Sequence, residues 1–141
     1  MVAAVWLGLV LAVTDGDTLR VAVDVLPDQV LTTAVRLAGV DAPELHGACA
    51  VEVLRARDAQ AALAELVGRG THRVELRGLR RDKYGRWLAD VTNDRGENVA
   101  AELLRRGMVR VYAGGARGSW CEPTPTPTPT LPQLLGDGLT T

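Results

Sequence analysis

The chain lacks an excess of either charge. Sixteen Lys and Arg against seventeen Asp and Glu leave a net charge of −1 over 141 residues. Such a chain has no global field to draw it onto nucleic acid. This argues against a high-affinity, non-specific coat protein, while leaving room for a local phosphate site. Lysine is nearly missing too: Lys83 is the only one, and the other cationic side chains are arginines. Arginine is the better fork for phosphate, although the arginine bias of a GC-rich genome explains the same composition. No apolar run is long enough to span a bilayer, so no membrane association is expected. The apolar stretch from Met1 to Val13 has no positive residues ahead of it and no small-residue cleavage site before Asp15. It reads as a buried first strand and not as a signal peptide.

Cysteine is scarce, with Cys49 and Cys121 alone. In an exported protein the two would form one disulfide, closing a loop of about 70 residues at roughly 4 kcal/mol in the loop-entropy picture. In a cytosol they would be free thiols. The compartment therefore stays open: exported if they are bonded, cytoplasmic otherwise. A two-cysteine zinc site lacks partners, since His46 lies near Cys49 but His72 has no motif around it.

What is present suits one soluble domain. The length permits a core that needs neither metal nor disulfide to fold, and apolar and charged fractions of 47% and 23% are ordinary. Leu19, Val21, Val23 and Val25 alternate with polar or small residues, so strands are expected over 4–13 and 18–25 around an Asp15-Gly16 turn. Pro27-Asp28 breaks the pattern, and a third strand follows over about 31–40. After Pro43 the period changes. Ala56, Ala59, Leu63 and Leu66 mark a helix over 51–67 with Arg55, Arg57, Asp58 and Glu65 toward solvent, closed by Gly68 and Gly70. Further strands are expected over 72–78 (Val74 and Leu76 on one side) and 86–92 (Leu88 and Val91). A second helix covers 97–106, ending in Arg105-Arg106 and Gly107, and 108–112 is a short extended piece. Periodicity alone supports an α+β, mainly β, fold with many short strands. Residues 122–141 carry Pro-Thr repeats, which favour an extended, coreless and disordered tail after a domain spanning 1–121.

Three stretches carry chemistry: Asp15-Gly16-Asp17-Thr18, Arg36 through Glu44, and Asp82-Lys83-Tyr84-Gly85-Arg86. Singly each is bland. Asp-Gly between apolar runs is a hairpin turn. Asp41-Ala42-Pro43-Glu44 is a strand end passing into a helix start. The third is a polar hairpin loop with Gly85 at positive φ. Together they offer carboxylates for a hard cation, one further carboxylate for proton work and two arginines for a phosphate, the inventory of metal-assisted phosphodiester hydrolysis. In this order and spacing they resemble the signature of the staphylococcal nuclease (thermonuclease) family, over about residues 5–121.

The resemblance implies a five-stranded Greek-key barrel of the OB type with helices packed on it. It also implies a sugar-nonspecific nuclease that uses Ca²⁺, with Mg²⁺ the lesser alternative, and leaves 3′-phosphate ends on DNA or RNA. By the same resemblance Asp17, Asp41 and the backbone carbonyl of Ala42 would hold the metal. The family usually has threonine at the third position, so Ala42 keeps the carbonyl and loses a hydroxyl. Glu44 would be the general base or orient the attacking water, and Arg36 and Arg86 would clamp the phosphate. Asp15 would shape the loop and support the metal ligands from behind. Lys83 and Tyr84 match residues that contact a terminal phosphate, and Tyr112 lies where an aromatic stacks on a base, favouring single-stranded substrate. Arg77, Arg80, Arg81 and Lys83 are either a solvated hairpin or a track for flanking phosphates. The family's third helix would follow here, where this chain has its Pro-Thr tail. A monomer is expected. The rival reading is a catalytically inactive OB-fold module that binds single strands without cutting them. Retention of both arginines and both aspartates favours the enzyme.

Overall fold

A computed structural model describes residues 4–68, 70–112 and 118–121. The alternation read in the sequence becomes strands β1 (Val5–Asp15), β2 (Thr18–Leu26), β3 (Gln29–Leu37), β4 (Val40–Asp41), β5 (Arg73–Arg81), β6 (Trp87–Asn93) and β7 (Arg110–Val111). Helix α1 (Ala50–Val67) follows β4, and α2 (Val99–Arg105) follows β6. Five strands close a barrel in the order β1-β2-β3-β6-β5, while β4 and β7 form a separate two-stranded pair. Every barrel pairing is antiparallel except β3 with β6, which run parallel through Val35 and Trp87, Arg36 and Leu88, and Leu37 and Ala89. This is the expected OB-type barrel, with α1 inserted between its third and fourth strands.

Leu19, Val21, Val35, Leu37, Val74, Leu76 and Val91 fill the barrel, and the Ala56, Ala59, Leu63 and Leu66 stripe of α1 is buried as its spacing demands. At about 25 cal/mol per Å² of apolar area removed from water, that seam is the main term holding helix to barrel. Two expectations change. The first strand forms, but it is not a buried one. Val5, Leu7, Leu9 and Leu11 all lie on its exposed side, because a barrel strand covers only one of its two faces. The third strand stops at Leu37; Ala38-Gly39, with Gly39 at φ 79°, turns the chain into β4. Leu88 and Val91 lie on opposite faces of β6. Two-residue periodicity puts Ala89 and Val91 inside, and Leu88 lines a surface groove instead. The Pro-Thr tail and the position of a third helix lie outside the described residues. No helix among the described residues is long and apolar enough to cross a membrane.

Candidate active site

The Asp15-Gly16-Asp17-Thr18 turn is pressed against α1. A Cβ on Gly16 would stand 2.4 Å from the Ala59 Cβ, so only glycine lets the turn sit so close. Thr18 is the cross-strand partner of Arg36, and the Leu37 amide donates to the Asp17 carbonyl at 2.8 Å. Local strand register thus delivers Asp17 to Arg36. The Gly39 turn then returns the chain so that Asp41 arrives beside both.

The result is a buried charge cluster. Arg36 Nη2 donates to Asp17 Oδ2 at 3.2 Å and to Asp41 Oδ1 at 3.3 Å, bridging the two carboxylates. Asp17 also accepts from the Ala42 amide on Oδ2 at 3.1 Å and from the Thr18 hydroxyl on Oδ1 at 2.9 Å. Asp41 is fully buried, and its Oδ2 accepts from Arg110 Nε and Nη2 at 3.2 and 3.0 Å. Buried carboxylates persist only when paired and hydrogen-bonded. The two arginines supply that pairing.

Glu44 follows on a loop fixed from below. Glu52, buried in the first turn of α1, accepts from the Glu44 and Ala48 amides at 3.1 Å each. Gly47 lies tight against the same side chain: its Cβ would be 2.5 Å from Glu52 Cγ. Asp15 adds to the acidic crowd. Burial first, then the neighbouring charges of Asp17 and Glu44, raise its carboxyl above the ordinary value, against a hydrogen bond from the Leu45 backbone.

The third stretch closes the site from the β5–β6 hairpin. Gly85 adopts φ 80°, as expected. Asp82 accepts from the Tyr84 and Arg86 amides at 2.8 and 2.9 Å and from Arg86 Nε at 2.7 Å. Partial loss of hydration opposes ionisation of Asp82, but these bonds from Arg86 and Tyr84 outweigh it and hold the carboxyl below its ordinary value.

A cavity of about 250 Å³ is lined by Asp15, Asp17, Arg36, Glu44 and Arg86, with Ala42 and Trp87 in its wall. Beside it a groove of about 420 Å³ is lined by Lys83, Tyr84, Leu88 and Tyr112, and again by Arg36 and Arg86. Arg36 lies over the Tyr112 ring, 5.5 Å from its centre, and Lys83 and Arg86 lie over Tyr84 at 5.2 Å each. Arg80 joins the groove, whereas Arg77 turns to Glu75 and Arg81 lies over Trp87. The basic run is therefore divided, not one continuous track.

The three stretches meet at one place. Two participants were not foreseen. Arg110 sits between valines in β7, where alternation suggests a solvent-facing arginine. Glu52 reads as an ordinary first-turn acid. Cys49 and Cys121 are bonded to each other.

Among the described residues no three His, Cys, Asp or Glu side chains gather as a metal cluster. The expected donor set needs only two carboxylates and a carbonyl, however, and Asp17 and Asp41 already converge on one positive group. All-oxygen donors around a shared positive charge fit a hard divalent cation.

A family model described as staphylococcal nuclease homologue matches residues 34–121. That span includes Arg36, Asp41, Glu44 and Arg86, while Asp15 and Asp17 precede it and join them through the β2–β3 register. A comparison with curated proteins finds no match.

Proposed function

The chain belongs to the staphylococcal nuclease homologue family, and on that premise we propose that it is a metal-dependent, sugar-nonspecific nuclease that hydrolyses phosphodiester bonds in DNA and RNA. The observation that carries the reading is the single cavity on which Arg36, Arg86, Asp17 and Glu44 converge from three distant stretches. The preferred cofactor is Ca²⁺ over Mg²⁺, and Asp17, Asp41 and the Ala42 carbonyl would hold it. When bound, it supplies charge that offsets the substrate phosphate and polarises water.

The chain's own residues do the rest. Arg36 and Arg86 take the non-bridging phosphate oxygens, and their charge gains value as the five-coordinate transition state becomes more negative. Glu44 orients the attacking water and accepts its proton. The P–O5′ bond breaks and the 5′-oxygen takes up a proton from solvent water, giving a 5′-hydroxyl and a 3′-phosphate end. Tyr112 and Tyr84 offer ring faces to unpaired bases in the adjoining groove, with Lys83 toward a terminal phosphate, which supports single-stranded substrates. The bonded cysteines support an exported, oxidising setting. A monomer suffices, since all named groups come from one chain.

The test is hydrolysis of single-stranded DNA in Ca²⁺. EGTA should abolish cleavage and added Ca²⁺ should restore it, with 3′-phosphate ends on the products. Arg36→Ala, Glu44→Ala and Arg86→Ala should each lower turnover by roughly 10²–10⁴-fold. Binding without cutting in every condition would leave the inactive single-strand-binding module as the correct reading.

A further inference from the structure

Glu44 is exposed and lines the cavity, so the backbone beneath it sets where its carboxylate stands. Two other carboxylates hold that backbone. The Glu44 amide donates to Glu52 Oε2 and the Ala48 amide to Glu52 Oε1, at 3.1 Å each. The next amide, that of Leu45, donates to Asp15. Glu52 is the third residue of α1, after the Cys49 cap. A glutamate there ordinarily reaches back to the amide of the cap itself. This one reaches further, to residues 48 and 44, and so spans the loop. It is 8% exposed. Bonds on both oxygens and the positive end of the α1 dipole offset the burial of its charge. Gly47 makes room for it: a Cβ there would stand 2.5 and 2.6 Å from Glu52 Cγ and Cδ, too near for any side chain at rest.

A buried carboxylate is a costly way to close a loop. Its effect here falls on the cavity acid to which proton work is assigned. Displacing a reacting group by 1 Å can cost about 10²-fold in rate. Glu44 makes a further interaction of its own and Leu45 has Asp15, so Glu52 sets a share of that placement and not the whole. Resting on the nuclease reading, we propose that Glu52 is a positioning residue for Glu44: its buried carboxylate fixes the backbone of 44–48 so that the Glu44 side chain meets the attacking water. Arg36 and Arg86 reach the cavity from β3 and the β5–β6 hairpin, so substrate binding should depend on Glu52 far less than turnover does.

The experiment measures turnover of single-stranded DNA at saturating Ca²⁺ for Glu52→Gln, made in wild type and in Glu44→Ala. Glu52→Gln keeps the shape of the side chain but turns one acceptor into a donor that faces an N–H. It should lower kcat about tenfold in wild type, with KM changed by less than about twofold. In Glu44→Ala, where no carboxylate remains to be misplaced, it should lower kcat by less than about twofold. A general loosening of the fold would act alike in both backgrounds, so equal losses overturn the proposal, as does an unchanged kcat in wild type. Gly47→Ala leaves Glu52 chemically intact but displaces it. It should lower kcat in the same way, and it carries the test if Glu52→Gln does not fold. Hydrogen exchange of the Glu44 and Ala48 amides, followed by NMR without Ca²⁺ or substrate, gives a readout free of metal and activity. Both should be protected in wild type and exchange about tenfold faster in Glu52→Gln and Gly47→Ala, while the Gly85 amide, bonded to the Asp82 carbonyl, keeps its rate. Unchanged exchange at Glu44 overturns the restraint even if the protein cleaves DNA. A protein that cleaves nothing yet loses this protection retains the restraint and defeats the nuclease reading instead.

Discussion

Arg36 and Arg86 line the same cavity from opposite physical regimes. Arg36 is held inside the barrel wall, its side chain 9% exposed between two buried carboxylates. Arg86 is 47% exposed and held by Asp82, four residues away on its own hairpin. One is positioned by tertiary burial, so its charge is part of what keeps the fold intact. The other is positioned by a short loop whose bonds are mostly to backbone amides, so its charge is available for binding at little structural cost. Two groups proposed for one task thus answer to different constraints, and substitution should separate them.

The largest effect is expected at Arg36. Arg36→Ala strips the bridge from Asp17 and Asp41 and should cost on the order of 3–5 kcal/mol, the range for breaking a buried pair and stranding its partner, besides its loss of turnover. Arg86→Ala should lose turnover comparably while shifting stability by about 0.5 kcal/mol or less, as exposed pairs do. Urea denaturation of both variants beside their turnover decides the matter. Equal stability losses would mean that burial does not separate the two arginines.

A middle-sized effect tests the packing that delivers Asp17. Gly16→Ala pushes a methyl group into Ala59 of α1, at a distance real Cβ atoms do not reach. Relief requires the turn or the helix to move, at roughly 1–3 kcal/mol. Because Asp17 rides on that turn and Arg86 does not, Ca²⁺ affinity should fall while the hairpin's backbone NMR shifts stay put. Shifts in the hairpin with unaltered Ca²⁺ binding would reverse this assignment.

The same division explains what could be read from the sequence. The three stretches were legible because each carries its own local device: an Asp-Gly turn, an Asp-Ala-Pro-Glu strand end, and an Asp82 loop closed by Gly85, whereas the Ala38-Gly39 turn that brings Asp41 to Arg36 was read as continuing strand. The α1 stripe was legible because Ala56, Ala59, Leu63 and Leu66 repeat at helical spacing. The exposed leucines of β1 went unnoticed because an apolar run reads as buried whichever way its side chains point. Arg110 and Glu52 were hidden for a different reason. A buried charge makes sense only beside its partner, and Arg110 meets Asp41 across 69 positions of sequence. Glu52 does its work on the Glu44 and Ala48 amides through a loop whose path no periodicity records. The parallel pairing of β3 with β6 is likewise a property of closure, not of any segment.

The smallest predicted effect probes the acidic side of the cavity. The Asp15 carboxyl is raised from an ordinary 3.8 by burial and then by Asp17 and Glu44, so the folded protein holds this proton more tightly than the unfolded chain does. Asp15 is therefore harmless to the fold at pH below its unfolded value. It becomes a growing penalty as pH rises to its folded value, and a constant one above that. Asp15→Asn removes the penalty. Without Ca²⁺ the variant should be more stable than wild type at pH 7 by a few tenths of a kcal/mol, discounted for partial exposure, and the advantage should vanish as pH falls below 4 in urea titrations. Saturating Ca²⁺ should reverse the ranking, since a cation relieves the crowding that Asp15 suffers and draws on its charge. Arg86→Ala offers the contrast, because Arg86 is held by Asp82, whose carboxyl lies below its ordinary value. Losing that bond should cost nothing once Asp82 is protonated, so the small deficit of Arg86→Ala should shrink as pH falls, with no reversal in Ca²⁺. If Asp15→Asn is instead the less stable protein at pH 7 without Ca²⁺, the cavity's acids are not in mutual repulsion, and the case for a cation between them weakens accordingly.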